Sequence, residues 1–220
     1  EGISWLQTLF TKNFSGGLLA DDMGLGKTLQ ILYFIEWHYQ NHNDEKPYLI
    51  VAPVSLLENW ELEYNKFFNP KNIPILKLYG SISLTKENNS LQNYNDAKRL
   101  QRKQIVLTNY ETVRVYQFSL ALVDFSIIVL DEAQKIKTPG TLITNASKAL
   151  KADFKVAMTG TPVENNLVDI WCLIDFAVPG LLGNAKDFAK EYQTPLKDIN
   201  TDVKELTERL RSNIGVFIKR

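Results

Sequence analysis

Cysteine is nearly missing from this sequence. A single one, Cys172, among 220 residues rules out an internal disulfide and any metal site built from several cysteines. It lies in an apolar helical stretch, where a small core residue is expected, and such cysteine usage fits a reducing, intracellular compartment (cytoplasm or nucleoid in a prokaryote, nucleus in a eukaryote). Histidine is almost as scarce, with only His38 and His42. They stand four apart near the expected end of a helix. That spacing suits a metal, but no third ligand is in sight, and a solvated helix end is the expectation. Net charge is missing too, 25 basic residues facing 25 acidic ones. A protein held to nucleic acid by bulk electrostatics is usually basic, so any case for DNA must come from motifs. No run approaches the ~18 apolar residues of a membrane-spanning helix, so no membrane partner is expected. There is no signal peptide, internal repeat or low-complexity tract, and the opening at Glu1 rather than Met suggests a piece of a longer protein.

What is present is organised around Asp21–Thr28, D-D-M-G-L-G-K-T. It follows the small apolar stretch Gly17-Leu18-Leu19-Ala20 and opens the helical pattern Leu29, Ile31, Leu32, Ile35. A strand, a glycine-rich turn and a helix in that order make a phosphate cradle. Gly24 and Gly26 let backbone N–H groups turn inward with no Cβ in the way. The helix N-terminus adds partial positive charge. Lys27 can reach the β- and γ-phosphates of ATP, and the Thr28 hydroxyl can ligate Mg2+. The candidate nucleotide-binding residues run from Asp22 through Met23, Gly24, Leu25, Gly26, Lys27 and Thr28 to Leu29. The general P-loop pattern asks for glycine where Asp21 stands, so only its second half, G-K-T, matches, and an ordinary glycine turn before a helix is the alternative.

Hydrophobic residues make up 45% of the chain, enough for a full core. Helices are expected over 1–14, 27–41, 56–68 with Ser55 as N-cap, 110–118, 141–150, 167–177, 188–192 and 203–211. Strands are expected at Gly16–Ala20, Tyr48–Ala52, Ile75–Tyr79, Ile105–Thr108, Ile127–Leu130 and Val156–Met158; Tyr48–Ala52 and Ile127–Leu130 are continuous apolar runs, as strands buried on both faces require. Residues 81–104 are polar and read as a surface insertion, with Leu91, Tyr94 and Leu100 lining a weak helix; the final stretch, Ile214–Ile218, is apolar. Short buried strands alternating with helices specify an α/β domain, a mainly parallel sheet with helices on both faces. Ligands in such sheets bind at the carboxyl ends of the strands, where all the motifs fall.

After I-I-V-L come Asp131-Glu132-Ala133-Gln134. Asp131 can hold the Mg2+ shell together with Thr28. Glu132 can take a proton from the attacking water. Lys27, Asp131 and Glu132 are therefore the candidate catalytic residues, with Thr28 and Asp131 as metal ligands. A D-E pair alone is a common loop start. G-K-T followed about a hundred residues later by an apolar strand and D-E-A-Q is much rarer, and the pair together points to ATP. Thr159-Gly160-Thr161-Pro162 ends another strand and offers hydroxyls to bridge the site to something else.

With these motifs in order, the whole chain resembles the SWI/SNF-related ATPases, DNA translocases of helicase superfamily two. G-I-S-W-L at Gly2–Leu6, L-A-D-D-M-G-L-G-K-T, V-A-P-V-S-L-L-E-N-W, I-V-L-T-N-Y-E-T, D-E-A-Q-K-I-K and T-G-T-P-V-E-N-N are similar to that family's strings, and its own P-loop carries an acid where Asp21 stands. The resemblance implies a RecA-like P-loop lobe over residues 1–180 and a trailing helical segment over 181–220, leading to a second RecA-like lobe not included in these 220 residues. It implies ATP with Mg2+ as cofactors and double-stranded DNA as partner, with a DNA-bound protein as the object moved. It assigns DNA contacts to Pro53, Ser55, Asn59, Trp60, Thr108, Asn109 and Tyr110, hydroxyl, amide and backbone groups that suit phosphates. Trp60 also reads as a packing residue, the favoured of its two roles. Gln134, Thr159, Gly160 and Thr161 are the implied coupling residues; Gln134 stands where many relatives have His. The family's adenine-reading glutamine would fall just before Glu1, and its lobe-two motifs lie outside this sequence. An RNA helicase of the same superfamily and a nucleotide-sensing scaffold without turnover are the rival readings.

Overall fold

The computed structural model describes residues 1–22, 24–80, 83–160, 167–195 and 203–220. Among them, one sheet carries seven strands: β1 (Gly16–Leu19), β2 (Tyr48–Val51), β3 (Ile75–Lys77), β4 (Ile105–Thr108), β5 (Asp124–Leu130), β6 (Lys151–Met158) and β7 (Ile218–Lys219). Their order across the sheet is β3-β4-β2-β5-β6-β1-β7, and every pairing is parallel. All carboxyl ends therefore lie along one edge, which is what gathers the motifs. β1, β2 and β4 are buried at every position, as their unbroken apolar runs require.

The strand order also dictates which face each helix covers. Between β1 and β3 the chain steps twice toward the β3 edge, through α2 (Lys27–Asn41) and α3 (Val54–Phe67). It then steps back, through α4 (Ser90–Leu100), α5 (Tyr110–Val115) with α6 (Gln117–Leu120), and α7 (Leu142–Ala149). Right-handed crossovers send the two directions to opposite faces. The packing agrees: α1 (Gly2–Thr11) lies on α2 and α2 on α3, whereas α4, α6, α5 and α7 form a separate series that α8 (Leu167–Ala177) continues. Among the described residues α9 (Ala185–Phe188), a π turn over Ala189–Gln193, α10 (Val203–Ile214) and a 3-10 turn over Gly215–Phe217 follow. The apolar end of the chain then adds β7 beside β1, with Leu18 opposite Ile218 and Leu19 opposite Lys219. No helix among the described residues is long and apolar enough to cross a membrane.

Several local expectations give way to packing. β5 and β6 begin earlier than their apolar cores suggest. Ser126 interrupts the run but is buried, its hydroxyl donating to Asp44 Oδ1 at 2.9 Å, so polarity concealed a strand that pairing with β6 sustains. Ser55 does not cap α3. The helix starts at Val54 behind Pro53, whose ring presets the backbone, and Ser55 is exposed in its first turn. In α4, Leu91 and Tyr94 face solvent, and Asn93, Asp96, Ala97 and Leu100 face inward. The amide of Asn93 donates to Ser119 Oγ (3.0 Å), and Asp96 Oδ2 accepts from the Thr85 amide (2.6 Å) and the Ser119 hydroxyl (3.4 Å). Residues 90–100 are thus pinned to α6 by polar groups that satisfy each other, which an apolar-stripe reading cannot detect.

The histidines also depart from expectation. His38 is 1% exposed, its Nδ1 is 3.1 Å from the Tyr48 hydroxyl, and its ring stacks on His42 at 4.6 Å and meets Phe10 edge-on. Burial pushes its pKa down to about 4, although Asp44 pulls the other way. The unfolded chain, with an ordinary histidine near 6.5, therefore binds the proton first. Stability is fully present above pH about 6.5 and is lost as pH falls toward 4, by an amount on the order of 3 kcal/mol. Urea midpoints measured across this window should fall with acid, and His38→Gln should flatten that slope. An unchanged slope in the variant would remove His38 as its cause.

Candidate nucleotide site and its hydrogen-bonded line

Three strand ends, of β1, β5 and β6, build the site. β1 leads into the loop 20–26, and α2 opens at Gly26, which has φ 68° and no side-chain cap. Gly24, at φ 83°, is the other left-handed position of the turn. Both would strain any residue with a Cβ, which accounts for the two glycines of G-L-G-K-T. The uncapped start of a 15-residue helix presents its first N–H groups to the loop. Lys27 Nζ donates to the carbonyls of Asp21 (2.7 Å) and Asp22 (2.8 Å), so its ammonium is parked on the acidic half of the loop it would leave for a phosphate. Leu25 and Gly26 are exposed, and Thr28 and Leu29 half-buried at the helix start. Met23 lies outside the described residues.

At the end of β5, Asp131 is 6% exposed. Its Oδ2 accepts from the Trp60 indole at 2.8 Å, its Oδ1 from the Glu132 amide at 2.9 Å, and its carbonyl from the Tyr110 hydroxyl at 2.7 Å. Burial pushes the Asp131 carboxyl above its usual value; Glu132 adds to this, and the Trp60 and Glu132 donors and the charge of Lys27 oppose it. The influence of Lys27 on Asp131 reflects their shared edge. Glu132 adopts φ 51°, ψ 51°, a left-handed backbone rare for a side chain of this size. That turn aims its carboxylate at Gln134, whose amide donates to Glu132 Oε2 at 2.5 Å. Gln134 Oε1 in turn accepts from the Thr159 hydroxyl at 2.9 Å, at the end of β6. The expected coupling residues Gln134 and Thr159 therefore form one line with Glu132. Gly160 follows directly, and Thr161 lies outside the described residues.

The residues assigned to DNA divide in two. Pro53 is half-buried at the start of α3, and Ser55 and Asn59 are exposed on it, Asn59 donating to Glu63 Oε1 at 3.1 Å. Asn109 is half-buried and caps α5, its side-chain oxygen accepting from the Thr112 amide at 2.9 Å. Trp60, Thr108 and Tyr110 are inside; for Trp60 this is the favoured packing role, whereas Thr108 and Tyr110 turn inward instead of presenting their side chains as DNA contacts would require. Thr108 donates its hydroxyl to the Leu78 carbonyl at 2.6 Å, and the other two serve Asp131. Of the two roles for Trp60, the buried one is observed, with a polar function the sequence did not suggest. Their large apolar area draws Trp60, midway along α3, and Tyr110, at the start of α5, inward.

Sequence reasoning missed Gln30. Its amide donates to the Leu25 carbonyl at 3.0 Å, tying the phosphate loop to the helix behind it. A Cβ on Gly2 would come 1.8 Å from Gln30 Oε1, so the glycine of G-I-S-W-L makes room for it. Its position one turn into the helix, adjacent to the motif, was the available signal.

A family profile described as the SNF2-related domain matches residues 1–220. Zorya protein ZorD of Escherichia coli is 50% identical over 226 residues, covering 96% of this chain and 21% of that protein. The DNA excision repair protein ERCC-6-like of Danio rerio is 37% identical over 237 residues, covering the whole chain and 15% of that protein. The chain thus spans about a fifth or less of these curated relatives. The solved structure of the Sulfolobus solfataricus SWI2/SNF2 ATPase core in complex with dsDNA aligns with a TM-score of 0.81 at 35% identity, covering all of this chain and 42% of that one.

Proposed function

Because the chain belongs to the SNF2-related family, we propose that it is the nucleotide-binding lobe of an ATP-dependent motor that moves along double-stranded DNA. The observation that carries this reading is the hydrogen-bonded line Thr159–Gln134–Glu132, set beside Asp131 and on the edge that bears Lys27. A turn that served only as a loop start has no use for a left-handed glutamate tied to the end of the next strand.

The residues fit ATP and Mg2+. The uncapped N-terminus of α2 and the Lys27 ammonium suit a triphosphate, and the Asp131 carboxylate and Thr28 hydroxyl are hard oxygen donors of the kind Mg2+ takes. When bound, Mg2+ neutralises charge on the β- and γ-phosphates. Lys27 exchanges two loop carbonyls for phosphate oxygens. Glu132, oriented by Gln134, accepts a proton from the attacking water. Thr159 and Gln134 connect that base to the end of β6, through which a change at the nucleotide reaches the next loop.

Pro53, Ser55, Asn59 and Asn109 supply the outward groups of the DNA surface, with backbone positioning rather than base reading as their task. The solved relative bound to dsDNA supports a duplex over RNA. A second RecA-like lobe of the same protein completes the motor, and a DNA-bound protein is the object it displaces. The test is phosphate release by the two-lobed protein with duplex DNA, single-stranded DNA and RNA. Stimulation by duplex DNA is expected. Stimulation by RNA alone would shift the assignment to an RNA helicase, and no turnover with any of them to a nucleotide sensor.

A further inference from the structure

Asp131 receives three donors, and two come from far along the chain. The Trp60 indole, 71 residues away, holds Oδ2, and the Tyr110 hydroxyl, 21 residues away, holds the main-chain carbonyl. With the Glu132 amide on Oδ1, the carboxylate is fixed at both oxygens and the backbone at a third point. Satisfying a buried indole N–H requires only some acceptor, and a backbone carbonyl would serve. Here the acceptor is the carboxylate that would ligate the metal, and the pair is 2.8 Å long and buried.

We propose that Trp60 and Tyr110 are positioning residues that set the orientation of Asp131 toward Mg2+, and that they tie this carboxylate to the helix α3 that presents Asn59 and to the start of α5, capped by Asn109. The inference rests on the nucleotide-motor reading. Its geometric basis is adjacency. Asn59 is exposed on α3 and Trp60, the next residue, points inward to Oδ2. Asn109 caps α5 and Tyr110, the next residue, reaches the Asp131 carbonyl. A shift of α3 or of the start of α5 therefore moves a donor on Asp131 directly, with no intervening side chain. The donors also decide which lone pairs the carboxylate has left to offer, the usual task of groups behind a metal ligand.

The test uses this chain with a fluorescent ADP analogue, titrated with Mg2+. Trp60→Phe keeps an aromatic ring in the core but removes the N–H. We expect the Mg2+ concentration giving half-maximal enhancement of nucleotide binding to rise about tenfold or more. Binding without Mg2+ should be unchanged, which a general loss of structure would not spare. Tyr110→Phe should shift the same midpoint in the same direction. In the unsubstituted chain, the Trp60 indole N–H resonance should move when Mg2+ is added to the ADP-saturated protein, a readout that stands even where a variant fails to fold. Unchanged Mg2+ midpoints in both variants, or an indole resonance indifferent to Mg2+, would overturn the proposal and leave the motor reading intact. An unsubstituted chain whose nucleotide binding ignores Mg2+ altogether would overturn that reading first.

Discussion

Glu132→Gln in the two-lobed protein should bind nucleotide as the parent does and release phosphate about 10²–10⁴-fold more slowly, the usual contribution of a positioned general base. The substitution is close to a pure chemical change. Gln has the shape of Glu, and its amide oxygen can accept the 2.5 Å hydrogen bond that Glu132 Oε2 accepts from Gln134. The left-handed backbone at φ 51° stays as it is, because both side chains are unbranched at Cβ and of the same size. What disappears is the capacity to take a proton from water. Equilibrium binding of a fluorescent ATP analogue and single-turnover phosphate release separate the two. Wild-type release by Glu132→Gln would end the assignment of Glu132 as base. Weakened binding would instead point to a role in holding the nucleotide, acting through Asp131, whose Oδ1 accepts from the Glu132 amide.

Residues 1–220 by themselves should turn over ATP about 10³–10⁵-fold more slowly than a two-lobed form, with or without duplex DNA, the range a missing arginine finger costs in related enzymes. The γ-phosphate needs positive charge from both sides, and this lobe brings Lys27 and the metal from one. Three of its six arginines are engaged elsewhere: Arg99 with Asp96, Arg114 with Glu111 and Arg209 with Glu191. Each of these three is paired with a carboxylate other than Asp131 or Glu132. The chain covers 42% of the solved ATPase core, and the second lobe proposed above would be the source of that charge. Zero net charge gives this half of the DNA surface little general attraction to make up the deficit. Phosphate release should be compared between the two forms, each with a Lys27→Ala control. DNA-stimulated turnover by residues 1–220 that Lys27→Ala abolishes would show that one lobe suffices.

The sequence alone determined the phosphate loop and the acidic strand end. Each is a local pattern whose neighbours in space are its neighbours in the chain: glycines at Gly24 and Gly26 for left-handed turns, an apolar run before Asp131 and Glu132 for a buried strand. The all-buried strands β2 and β4 were legible for the same reason, because a strand covered on both faces has no polar positions to confuse the reading. Only the tertiary structure decided where polar groups went inside. Tyr110 resembled a surface contact at a helix start, and Trp60 a packing residue with no polar task, until β2, β4 and β5 lay side by side and brought Asp131 within reach of both. Asn93 and Asp96 resembled the solvated face of a weak helix until Ser119 and Thr85 came to meet them. His38 resembled a helix end in water until Tyr48, Phe10 and His42 closed around it. In each case the partner is distant in sequence or on another element. Hydrophobic periodicity reports which side of an element turns inward for apolar groups and carries no record of which polar groups will find a partner there.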